Sequence, residues 1–207
     1  MKKHTVITIG RQFGSGGHEV GLKLSSRLGI PVYDRSLIQM AAGELGVSRE
    51  KAEEADETVL GRFFSGHKAE ELSYTELPPD EEQAVPLSDQ MYQIQSEIIR
   101  RMAKREPCII IGRCADCILE DVVPCLNVFV YAEIGDRIER IRKLYNLNEE
   151  EAWEKIRRVD RARKEYYEVH TGNTWGGIES HQMIFNISLM DMQDVIDVLA
   201  AMYRARR

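Results

Sequence analysis

No apolar run in this 207-residue chain approaches the roughly 20 residues needed to span a bilayer, so no membrane helix is expected. Basic excess is missing as well. The 28 lysines and arginines face 34 aspartates and glutamates, a net charge of −6, which argues against a nucleic-acid or anionic-membrane partner. Cysteine is scarce, with only Cys108, Cys114, Cys117 and Cys125. Cys114 and Cys117 form a C-x-x-C, but neither a second such pair nor a nearby histidine pair accompanies it. That excludes an obvious zinc site and leaves reduced thiols as the expectation. There is no internal repeat, and no Ser-His-Asp, Cys-His or metal-ligand constellation. The opening "MKKHTVITIG" runs straight into glycine-rich sequence, so it reads as a first strand and not a leader. A cytoplasmic protein is expected, and the sequence sets no oligomeric state.

What is present alternates between two kinds of segment. "HTVITI", "GIPVYDR", "PCIIIG", "CLNVFVYA" and "HQMIFNIS" are short apolar runs without polar alternation, as strands buried on both faces should be. Between them lie helical patterns. Val20, Leu24 and Leu28 recur every four residues after Gly16, and Met91, Ile94, Ile98 and Met102 make one face of a later helix. "RCADCILEDV" reads as a short helix, while "EIGDRIERIRKLYN" and "NEEEAWEKIRRVDRARKEYYEVHTG" read as highly charged ones. The pattern predicts one α/β domain over 1–207, a parallel sheet of about five strands with helices on both faces and a helical insertion. The stretch from Ser65 to Asp89 is acidic, holds three of the six prolines and lacks a period, so a loop is expected there.

Ligands of such sheets sit beyond the carboxyl ends of the strands. The first of these ends carries "GRQFGSGGHE", where Gly10, Gly14, Gly16 and Gly17 would let backbone N–H groups converge on an anion at a helix N-terminus. In the usual phosphate-binding loop the last glycine is followed by lysine and a hydroxyl residue. Aligning Gly16 with that glycine puts Arg11 at the first glycine position, Gly17 at the lysine, and His18 and Glu19 next. The backbone cradle remains without its point charge. A glycine-rich turn that only packs a helix on a strand is the plainer alternative.

Four stretches in this order, "GRQFGSGGHEVGLKLSSRLGIPVYDR", "IIIGRCADCIL", "DRARKEYYEVHTGNTWG" and "FNISLM", resemble the cytidylate kinase-like family, a divergent branch of the nucleoside monophosphate kinases. The resemblance implies a three-layer P-loop kinase fold with an acceptor-binding insertion over about 36–105 and a lid over about 134–170. It also implies ATP and Mg2+ as cofactors and a small nucleotide, CMP or dCMP, as acceptor. Gly14, Ser15, Gly16, Gly17, His18 and Glu19 would then bind the nucleotide. Asp34, Arg35, Arg113 and Asp116 would bind the acceptor, Arg113 through its phosphate and Asp116 through its base. Arg137, Arg161 and Arg163 would close over the transferring group. Arg11 is the nearest candidate to replace the missing lysine, ahead of a lid arginine and of Lys23. Asp34 as a helix cap, Trp175 as a packing plug and the lid arginines as a solvated helix face are the structural alternatives. A nucleotide-binding regulatory module without turnover, or a kinase with another small acceptor, are the functional ones.

Overall fold

The structure is a computed structural model and describes residues 4–34, 36–52 and 87–206. Five strands form one parallel sheet: β1 (Val6–Arg11), β2 (Val32–Tyr33), β3 (Ile109–Ile111), β4 (Cys125–Tyr131) and β5 (Met183–Asn186). Their spatial order is β2-β3-β1-β4-β5. The register sets Ile9 beside Ile111 on one side and beside Val128 on the other. β1 and β4 are therefore neighbours whose connections leave in opposite directions, to β2 and to β5. That opens a crevice beyond their carboxyl ends.

Seven helices surround this sheet among the fully described elements: α1 (Gly17–Leu28), α2 (Ser36–Leu45), α3 (Leu87–Arg105), α4 (Ala115–Ile118), α5 (Ile134–Tyr145), α6 (Glu149–Thr171) and α7 (Met192–Ala205). Strand alternation sorts the core into two faces. Val6 and Ile110 pack under α2, α3 and α4 with Leu37, Ile98, Ile99 and Leu119. Ile7, Ile9, Ile109 and Ile111 pack under α1 and α7 with Val20, Leu24, Val195 and Leu199. This is the expected three-layer α/β arrangement, with a parallel sheet covered on both faces.

A third, smaller cluster sits apart. Ile141, Ala152 and Ile156 join α5 to α6 in an antiparallel hairpin, with Phe13, Ile138 and Leu147 against them. The hairpin turns at Asn146, which is left-handed at φ 53°, and α6 restarts at once from a capping box. There Asn148 accepts from the Glu151 N–H while Glu151 accepts from the Asn148 N–H.

Some boundaries differ from the sequence expectation. β2 is only two residues long. The expected acidic loop ends by Leu87, where α3 begins, and its course up to residue 86 lies outside the described residues, as does Arg35. A further helix begins at residue 49 and is described through residue 52. The helix expected at "RCAD" starts two residues late because Gly112, Arg113 and Cys114 are all left-handed. No described helix is long and apolar enough to cross a membrane.

Candidate functional site

The loop between β1 and α1 lies at the crevice. Gly14 and Gly16 have φ of 80° and 85°, conformations that a side chain resists, and Gly16 caps the N-terminus of α1. The helix opens without a side-chain cap. Its positive dipole end and the N–H groups after Gly17, whose own N–H is bonded to Ser15, form a cradle of the kind that suits an anion. Ser15 faces the other way. It is 1% exposed, and its hydroxyl lies 2.9 Å from the Gln12 carbonyl and 3.1 Å from that of Val130. Its side chain pins the loop to β4 and also accepts from the Gly17 N–H at 3.3 Å.

The α5–α6 hairpin grips the tip of the loop. The Phe13 N–H donates to Asp160 Oδ1 at 2.7 Å, and Arg137 Nε donates to the Phe13 carbonyl at 2.8 Å. Arg137 and Asp160 close the ring through an ion pair. The Phe13 side chain packs at 6.0 Å from the Tyr145 ring centroid, with the Arg163 guanidinium 5.5 Å from its own. One turn further on, Arg140 sits beside Gly16 and pairs with Glu19. Glu19 also meets Lys23 at 2.8 Å, and these cations hold its carboxyl below the usual range, Lys23 first.

The three arginines expected to close over the transferring group have different surroundings. Arg137 is 6% exposed and committed to Phe13 and Asp160, so it holds the loop. Arg161 is exposed on α6 and pairs with Glu165 at 3.7 Å on the same helix. Arg163 is different: its Nη1 donates to the Arg11 carbonyl at 3.3 Å.

Arg11 ends β1, and its side chain runs across the place where a residue 17 side chain would begin. Its Cβ lies 2.6 Å, and its Cγ 3.2 Å, from the position a Cβ on Gly17 would take. Its guanidinium reaches the backbone of Gly112, where even a methyl group would overlap it. His18 follows Gly17 and meets Asp34, at the exit of β2, with 2.6 Å between Nε2 and Oδ2.

The second turn, after β3, is built on strain. Gly112, Arg113 and Cys114 have φ of 73°, 61° and 55° in succession. For a non-glycine residue this costs about 1–2 kcal/mol each, and such strain gathers at functional positions. A buried polar network holds the turn. Tyr167 of α6 donates to Asp116 Oδ2 at 2.6 Å, His181 Nε2 lies 3.8 Å from the same oxygen, and Cys117 Sγ lies 3.3 Å from the Tyr167 hydroxyl. Burial, then the Asp116 carboxylate, raises the Tyr167 phenol far above its ordinary range, so it remains a donor. Asp116 is thus turned to Tyr167 rather than to an open pocket. Phe129 fills the space behind it, edge-on to Trp175 at 5.3 Å and to His181 at 5.4 Å. Trp175 is a packing residue here. Sequence inspection missed Phe13, Tyr167 and His181, and only the large apolar residue inside a glycine loop was a visible signal.

None of the four cysteines is in a disulfide, and burial raises all four thiols. Among the described residues no group of three or more His, Cys, Asp or Glu side chains is arranged to hold a metal ion.

The pattern of the cytidylate kinase-like family matches residues 6–189. An uncharacterized protein from Eubacterium ventriosum has a similar structure, with a TM-score of 0.69 and 22% identity over 97% of this chain and 99% of that one. Shikimate kinase from Bacteroides thetaiotaomicron aligns with a TM-score of 0.52 and 15% identity, covering 97% of this chain and 98% of its own. Shikimate kinase from Acinetobacter baumannii, in complex with shikimate, aligns with a TM-score of 0.51 and 12% identity over 100% and 96% of the two chains. These likenesses establish a P-loop kinase fold. No curated protein matches the chain.

Proposed function

The chain belongs to the cytidylate kinase-like family, and from that premise we propose that it moves the terminal phosphoryl group of ATP onto a nucleoside monophosphate, first of all CMP or dCMP. The observation that carries this reading is the loop after β1. Its two left-handed glycines and the uncapped N-terminus of α1 open onto the crevice beyond β1 and β4. That cradle suits the phosphates of a nucleoside triphosphate.

The acceptor phosphate falls to Arg113, which the left-handed turn presents one strand away from the cradle. A guanidinium fork binds two phosphate oxygens and cannot lose its charge. Arg163 reaches the end of β1 from the hairpin side. The reaction breaks the bond between the terminal phosphorus and ADP and forms one to an acceptor phosphate oxygen, giving ADP and a nucleoside diphosphate. An anionic acceptor oxygen needs no strong base, so alignment and positive charge are what the protein must supply.

A magnesium ion would arrive on the nucleotide, held mainly by its phosphates and by water. That ion would supply neutralising charge on the phosphate oxygens. Nucleotide substrates and reduced thiols both belong to the cytoplasm, where we place the protein.

The test is ADP formation from Mg-ATP by purified protein, with CMP, dCMP, UMP, AMP, GMP and shikimate offered separately. Turnover with CMP or dCMP is expected. Turnover with a different acceptor alone would replace the substrate. No turnover with any would overturn the reading in favour of a nucleotide-binding regulatory module.

A further inference from the structure

We propose that Arg11 carries the phosphate-directed charge that lysine carries in the usual loop, and that Gly17 and Gly112 are glycines because they make room for it. The ligand, a nucleoside triphosphate, rests on the kinase reading above; the spatial argument does not.

Gly17 is the key residue. Unlike Gly14 and Gly16, it is not among the residues with positive φ, so its backbone does not demand glycine. Space does. A Cβ there would stand 2.6 Å from Arg11 Cβ and 3.1 Å from Val130 Cβ. The lysine position of the loop is thus filled, and the side chain filling it ends in a guanidinium. At the far end, Gly112 is required by its φ of 73°, and a Cβ there would stand 2.0 Å from Arg11 Nη1 and displace the guanidinium from its present place. The missing lysine and the extra arginine are one feature, a charge delivered from the strand end instead of from the helix.

The placement suits phosphate. β1 and β3 are adjacent, so the guanidinium lies between the glycine cradle and the turn that bears Arg113. Its base is firm, because Arg11 is in register with Val130 of β4 and its carbonyl accepts from Arg163. Lys23, the other cation considered for the role, lies nearly two turns into α1 and is tied to Glu19.

The experiment compares wild type with Arg11→Met, which keeps the stem against Gly17 and removes the charge, with Arg11→Lys, and with the swap Arg11→Gly/Gly17→Lys, which also removes the Arg11 Cβ that stands 2.6 Å from a residue 17 Cβ. Calorimetric binding of Mg-ATP and of Mg-ADP is measured beside turnover, and thermal melting reports folding. A guanidinium at the transferring group contributes roughly 10³–10⁵ in rate. Arg11→Met should therefore lose about 10³-fold in turnover and bind Mg-ATP more weakly, with little change in melting. Arg11→Lys should keep part of both. The swap should recover most of what is lost, because the lysine stem then has the space that Arg11 vacated. Arg11→Met that binds and turns over like wild type overturns the proposal and leaves the kinase reading standing. Arg11-dependent binding of Mg-ATP with no acceptor turned over does the reverse. Wild type that binds neither nucleotide overturns both.

Discussion

The two turns at the carboxyl edge of the sheet reach similar ends by opposite means. The loop after β1 takes its shape from glycines, so its left-handed residues are inexpensive, and it is held from outside by a charged pair. The turn after β3 uses one glycine and then asks Arg113 and Cys114 to adopt the same conformation, against their preference. It is held by hydrogen bonds among buried groups. One helix serves both: Asp160, Arg163 and Tyr167 lie at i, i+3 and i+7 on the same face of α6. Asp160 grips the first turn, Arg163 touches its base, and Tyr167 grips the second. The lesson is that a cradle for backbone contacts can be made of glycine. A turn that must present a particular side chain has to keep that side chain and accept its strain.

The comparison can be broken most severely at the first turn. Arg137→Ala leaves the half-buried Asp160 with the Phe13 N–H but without its cation, and a loss toward the low end of about 3–5 kcal/mol, the cost of breaking a buried pair, is expected. A urea titration should show this as a large fall in the midpoint. An unchanged midpoint would mean that the clamp contributes nothing. At the second turn Tyr167→Phe removes one hydrogen bond to a carboxylate, and the expected loss is about 1–3 kcal/mol. It should be accompanied by a rise in acceptor KM larger than any change in KM for ATP, since the cradle is untouched. Equal effects on the two KM values would show that the turns are not separate devices.

The strain itself can be tested in the other direction. Arg113→Gly relieves about 1–2 kcal/mol of left-handed cost, offset by about 0.5–1 kcal/mol from a freer unfolded chain. A small gain in melting temperature with loss of turnover is the expected outcome, and a fall in melting temperature would remove strain from the account.

The smallest effect comes from pH. Only the second turn contains thiols, and burial raises both Cys114 and Cys117 above their ordinary value. A raised acid keeps its proton in the folded state, so its contribution is complete below the unfolded thiol pKa, about 8.5, and is lost as pH climbs towards the folded values. Buried Cys108, pushed up to about 12, acts in the same sense. Urea midpoints should therefore decline from about pH 9 upward, less steeply in Cys114→Ala. A flat profile would count against the buried thiols.

Much of this was legible in the sequence and some was not, for physical reasons. Unbroken apolar runs such as "IIIG" declare a buried strand, and a four-residue apolar spacing declares a helix, because both follow from local periodicity. The glycine turn at the exit of β1 was visible too, although its composition alone left a turn that only packs a helix on a strand as the alternative. Arg113 was picked out as a candidate residue, yet nothing local marks an arginine that will be left-handed. The partners of the second turn are also remote: Tyr167 lies 51 residues from Asp116, and Asp160 lies 147 from Phe13. Charges on α6 looked alike along the chain. Only the docking of the hairpin separates Arg161, turned to solvent, from Asp160 and Arg163 two residues or fewer away.

The hold on Phe13 makes the molecule its own reporter. Its amide hydrogen is bonded to a carboxylate of α6 rather than to another backbone group. Its exchange with solvent deuterium should therefore follow the undocking of the hairpin and not the breathing of the sheet. A single resonance, followed with and without nucleotide, would count how often the hairpin lets go of the loop.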